Sequence, residues 1–176
     1  MILTIYLLTG CGPGTLEFDN EIRELRSAWV LKKRDAEEHV LLLSTSHLPC
    51  TVDTPKSPTE VLLETQEISH ARSREGSLLL WTRLTSPMTD GTHSVTLSGY
   101  QVLEAERMWT DGLIANYRPT ETEEYLIQAD LTLRSTSDIR WTGQLLAAKP
   151  AVEATFRADV CESEEVFQIL GLIGID

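Results

Sequence analysis

The chain is poor in aromatic residues and cysteine, has no excess of positive charge and contains no long apolar run. Of its 176 residues, 6% are Phe, Trp or Tyr and three are Cys. Three cysteines make no dense disulfide framework. With no C-x-x-C and no neighbouring histidine pair, they fit no zinc site. No apolar stretch approaches the roughly 20 residues that a membrane-spanning helix needs. Lys and Arg total 15 against 27 Asp and Glu, a formal net charge of -12. Such a chain repels phosphate backbones, which argues against nucleic-acid binding by counterion release. It equally disfavours docking on anionic lipid through basic residues. The acidic excess reads as a solubility feature.

Motifs that carry chemistry are also missing. His39, His47, His70 and His93 show no H-E-x-x-H or comparable ligand spacing, so no metal site is expected. His39 and His47 flank one strand-like run, about 26 Å apart when extended, too far to share an ion. Leu97-Ser98-Gly99 sits inside a strand pattern and lacks the first glycine of a nucleophile elbow. Gly10 to Gly14 is followed by no Gly-Lys-Ser/Thr, so no phosphate loop and no nucleotide cofactor are implied. Glu121, Glu123 and Glu124 read as a solvated acidic run, and Asp90 and Asp111 fall in turn dipeptides outside any EF-hand frame. Nothing raises catalysis above background, although a triad need not be local in sequence.

What is present begins at residue 1. Met1-Ile2-Leu3-Thr4-Ile5-Tyr6-Leu7-Leu8 is a short apolar run, and Leu8-Thr9-Gly10-Cys11 follows it into Gly12-Pro13-Gly14. This leader resembles a bacterial lipoprotein signal peptide with its lipobox. The resemblance implies that residues 1–10 are removed and that Cys11 becomes a lipid-bearing N-terminus. Residues 11–20 would then tether a single β-rich domain at 21–176. One acyl chain holds only marginally, at about 0.8 kcal/mol per buried CH₂, and two or more give stable anchoring. Gly12, where an inner-membrane protein of enteric type often carries Asp, implies an outer-membrane destination in the cell envelope. The alternative reading makes residues 3–8 a first β-strand of a soluble cytosolic β-domain, with Gly10 to Gly14 as its turn.

A lipid on Cys11 leaves Cys50 and Cys161 as an even pair. Both follow apolar strand-like runs, at 40–43 and 152–160, which suits a bridge between strand ends. It would close a loop of about 110 residues.

The body reads as strands with one helix. Runs at 28–33 and 38–46 predict two strands, the second central because Val40, Leu41, Leu42 and Leu43 are all apolar. Ser57-Pro58-Thr59-Glu60 matches a capping box. Val61, Leu62, Thr65, Ile68 and Ala71 follow at helical spacing, and Gly76 suits the left-handed position that ends a helix. One amphipathic helix over 58–74 is predicted. Further strands follow at 77–84, 94–102 with a bulge at Gly99, 124–133, 139–147 and 152–161, with turns at Asp90-Gly91 and Asp111-Gly112. Residues 103–117 are ambiguous. Strict alternation marks Tyr125, Ile127, Ala129, Leu131 and Leu133, and again Val152, Ala154, Phe156, Ala158 and Val160, as inward-facing sets. The expected class is mainly β, an antiparallel β-sandwich or barrel-like fold.

These features predict a lipid-anchored, non-catalytic cell-envelope protein with a structural or binding role. Its partners would be the membrane, through the lipid on Cys11, and an envelope protein or glycan. The alternative is a carbohydrate-binding module in which Trp81, Trp109 and Trp141 form an exposed ligand platform, against the simpler reading that they pack in the core.

Overall fold

The computed structural model describes residues 13–32, 37–48, 50, 69–85, 88–110 and 114–162. They form β1 (Gly14–Phe18), β2 (Glu21–Leu25), β3 (Ser27–Lys32), β4 (Glu38–Ser44), β5 (Leu78–Thr85), β6 (Gly91–Thr110), β7 (Ile114–Thr136), β8 (Arg140–Ala148) and β9 (Ala151–Glu162). Residues 69–73 are helical, so the last turn of the predicted helix is present. Its capping box lies outside the described residues, as do the leader with Cys11, the alternative strand at 3–8 and the Asp111-Gly112 turn.

The expected mainly β class is what forms. Strand order is β2-β1-β9-β3-β4-β5-β6-β7-β8, and β8 returns to β9, so β3 to β9 close into a ring. This is barrel geometry, without two separate facing sheets. Every ladder is antiparallel except β3 with β9, where Leu31 pairs Cys161 in parallel. On that same edge the first half of β9 takes β1, with Gly14 opposite Phe156 and Phe18 opposite Val152.

Residues 14–18, expected within a tether, are therefore a strand of the sheet. Leu16 and Phe18 alternate into the core and are buried. Asp19 and Asn20 then carry positive φ values of 51° and 66°, and Phe18 pairs Glu21 across them. Two left-handed residues make the primed turn that matches strand twist, and short polar side chains tolerate it.

The period-two patterns aim as expected. Ile127, Leu131, Leu145, Val152, Ala154, Phe156 and Ala158 fill the barrel with Leu41, Leu43 and Leu80. A second apolar cluster lies on the opposite face of the sheet. There Leu31, Val40, Leu42, Leu79, Tyr100 and Val102 meet Leu48, Ala71 and Cys161. β4 is thus buried on both faces, which its unbroken apolar run required.

The bulge expected at Gly99 lies elsewhere. Gly99 pairs Leu80 and Tyr125 in regular register, and the shifts fall between Val102, Glu104 and Ala105. A Cβ on Gly99 would meet Leu80 Cδ2 at 2.9 Å, so close side-chain packing accounts for the glycine. Beyond these shifts β6 and β7 pair only with one another, and the ambiguous segment becomes a two-stranded arm.

Gly143 is tighter still. A Cβ there would lie 2.6 Å from the Thr132 carbonyl oxygen and 2.8 Å from Phe156 Cζ. Gly143→Val is expected to cost about 1–3 kcal/mol through overpacking. Urea denaturation reads this as a lowered midpoint, and an unchanged midpoint contradicts the close approach.

Candidate functional site

The outer cluster is held by a strap. After β4 the chain turns back over β3, where the Leu48 N–H donates to Ser27 Oγ at 2.7 Å and Trp29 Nε1–H donates to the Leu48 carbonyl at 2.9 Å. Cys50 is bonded to Cys161, with Cα atoms 6.0 Å apart, within the usual disulfide range. The predicted pair is therefore joined, linking the strap to β9 across β3. The 69–73 helix completes the cover: Ala71 is fully buried, and Tyr100 Oη–H donates to the Arg72 carbonyl at 3.2 Å. Arg72 also stacks over the Tyr100 ring at 4.3 Å.

Where this cover meets β2 a cavity of about 540 Å³ opens. Its basic residues are Arg23, Arg26, His47, His70 and Arg74, and its acids are Glu24 and Glu75. Arg23 lies on the inward side of the β1–β2 ribbon, opposite buried Leu16. Its Nη2 pairs with Glu21 at 2.7 Å and its Nη1 donates to the Gly76 carbonyl at 3.2 Å. Gly76 has φ of 77°, the left-handed residue expected after the helix, and its N–H donates to the Val102 carbonyl at 2.9 Å.

The walls are cross-linked by short polar contacts. Leu78 N–H donates to Thr45 Oγ1 at 2.9 Å, and the Ser46 and Ser77 hydroxyls share a 2.9 Å hydrogen bond. Arg26 is fixed at its backbone, its N–H donating to the Ser44 carbonyl at 2.9 Å. His70 packs edge-on against Tyr117 at 5.2 Å, which seats the β6–β7 arm beside the cavity.

The tryptophans do not converge. Trp141 is buried inside the barrel, whereas Trp81 is half-buried in the outer cluster. Trp109 is 61% exposed on the arm, with Arg107 over its ring at 4.3 Å. The platform expected from Trp81, Trp109 and Trp141 does not assemble, because alternation sends them to opposite faces of the sheet and to separate elements.

Two titratable groups are perturbed outside the cavity. Burial, and then the nearby Lys32 ammonium, push His39 below the usual imidazole value, with Glu162 opposing. His39 stacks against Trp141 at 5.5 Å, and its Nδ1 is buried with no hydrogen-bond partner among the described residues. Tyr125 is pushed well above the usual phenol value by burial and by its hydrogen bond to Glu123.

Sequence reasoning missed the cavity because its residues come from three separated segments. The available signal was Arg23 and Arg26 bracketing Leu25, together with Arg74 next to the helix-ending Gly76. Comparison with protein-family models, with curated proteins and with solved structures finds no match.

The bond between Cys50 and Cys161 spans a sequence separation of 111. Replacing both with Ala is expected to cost about 4–5 kcal/mol in the chain-entropy treatment, read by urea denaturation. A loss near zero would show that the strap holds without it.

His39 makes stability pH-dependent. Its folded-state pKa lies below the unfolded value of 6.5, so the unfolded chain takes up a proton first as the pH falls. The His39 contribution is fully present above that value and is lost below it, down to the folded-state pKa. Thermal melting across this window is expected to slope less in His39→Phe than in the parent, and equal slopes contradict the assignment.

Proposed function

We propose that this chain is a lipid-anchored, non-catalytic binding protein of the bacterial cell envelope, held by acyl chains on Cys11 and carrying its ligand site on the barrel. The observation that carries this reading is the Cys50–Cys161 disulfide. Such bonds persist in oxidising compartments, whereas cytosolic thiols are kept reduced. With that pair joined, the remaining cysteine is Cys11, at the end of the lipobox-like leader. A net charge of -12 disfavours docking on anionic lipid, so in this reading the lipid supplies the attachment, and the Gly12 that follows the cysteine favours the outer membrane.

The binding part of the reading is supported by the 540 Å³ cavity, which falls in the range of about 300–1,000 Å³ typical of small-molecule sites. Its walls come from segments joined by hydrogen bonds, and a preformed site lowers the cost of ordering on binding.

Metabolic labelling with palmitate tests the anchor. Label on the parent and none on Cys11→Ala is expected, with the unlabelled protein released from the membrane fraction. Absence of label on both rejects the anchor. A non-reducing peptide map of the exported protein is expected to recover Cys50 and Cys161 in one linked peptide pair, and free thiols there would remove the compartment argument.

A further inference from the structure

We infer that the cavity beneath the strap binds an oxyanion, a phosphate or carboxylate group carried on an organic ligand. This gives a ligand class to the binding role proposed above and rests on it; it is independent of the lipid anchor.

The chain has 27 acids and 15 Lys and Arg, so an arginine without an acidic partner stands out. Most described arginines are engaged. Arg83, Arg118 and Arg140 pair with carboxylates, and Arg72 and Arg107 lie over aromatic rings. Arg26, Arg74, Arg134 and Arg157 make no side-chain ion pair, hydrogen bond or ring contact among the described residues, and of these four Arg26 and Arg74 come together to line the cavity.

Arg23 supplies the third guanidinium, already oriented by Glu21 and the Gly76 carbonyl, with its side chain 20% exposed. Glu21 neutralises Arg23, and Glu24 and Glu75 lie in the same lining, so the site is close to charge balance on a chain of net charge -12, with the Arg26 and Arg74 guanidinium groups left for a ligand. Guanidinium groups present paired N–H donors that match carboxylate and phosphate oxygens, and such charge-assisted contacts are the strong ones. The hydroxyls of Ser46 and Ser77 sit on the same wall and add neutral hydrogen-bonding groups.

Size narrows the class. A bare inorganic anion fills little of 540 Å³, so the oxyanion is the recognised end of a larger molecule. Glu24 and Glu75 favour a ligand whose remainder is neutral or cationic, since a second anionic group would face them. Organic phosphates and carboxylates both satisfy the shared chemistry.

Amide spectra of the full-length ¹⁵N-labelled protein test this, with inorganic phosphate and acetate as probes and chloride at matched ionic strength as the blank. Saturable shifts at Thr45, Ser46, Gly76 and Ser77 with either anion are expected. Phosphate alone assigns the phosphate source and acetate alone the carboxylate. The double variant Arg26→Gln/Arg74→Gln is expected to weaken binding about tenfold or more, the scale of a lost charged hydrogen bond. Arg134→Gln, a surface change outside the cavity, is expected to leave binding unchanged. Both Arg26 and Arg74 are exposed, and a parent-like amide spectrum verifies that the double variant is folded.

No saturable shift with either anion overturns the inference, and so does undiminished binding in the folded double variant. Maltose serves as a neutral third probe. Saturation by maltose with silence from both anions overturns the oxyanion class and leaves the binding role standing. Silence from all three removes the cavity's binding role as well.

Discussion

The structure depends on the burial of β4 from both sides. Leu41 and Leu43 face the barrel interior, Val40 and Leu42 face outward, and none is more than 1% exposed. Covering one such side chain is worth about 1.5–3 kcal/mol, so an open outer face would forfeit a sizeable part of a domain's net stability. The strap and the 69–73 helix are the cover. Ser27 and Trp29 hold the strap over β3 by two hydrogen bonds at Leu48, and the disulfide fixes its far end to β9. The apolar demand of one strand thus dictates the position of residues far from it in sequence.

The cavity is a by-product of how that cover ends. The chain leaves β4 at Thr45, returns through the helix to Leu78, and the two passages are joined at Thr45 and at the Ser46–Ser77 pair. β2 approaches the same corner because its turn reverses it alongside β1. Three arginines from two distant segments are brought together by backbone constraints, with no pairing between their side chains. In a chain of net charge -12, this gathering of guanidinium groups gives the corner a chemistry of its own.

Much of the fold was legible in the sequence because period-two alternation is a direct record of which face is dry. Ile127, Ala129, Leu131 and Leu133, and the set from Val152 to Val160, point where that alternation aims them. β4 was legible for the opposite reason, since an unbroken apolar run has no wet face. β1 was not, because two inward residues, Leu16 and Phe18, are too few to establish a period. The positive-φ pair Asp19-Asn20 was its only other mark. The bulge was misplaced at Gly99 because a strand glycine signals either a bulge or a close neighbour, and choosing between them requires knowing that Leu80 lies opposite. The disulfide partners were legible by arithmetic. The cavity was not, since tertiary closure alone brings Arg23, Arg26 and Arg74 to one wall.

The sharing of β9 between β1 and β3 has a consequence for the order of events during synthesis. Residues 14 and 156 are neighbours in the finished sheet, and the ring stays open until 151–162 have been made. β3 and β4 can pair earlier, yet each lacks the interior that β7, β8 and β9 supply. Loop closure over such a span is slow compared with local pairing. The barrel therefore stays unclosed for nearly the whole of translation, whatever local pairs form before it. The last described strand is thus the latch that turns an open sheet into a barrel.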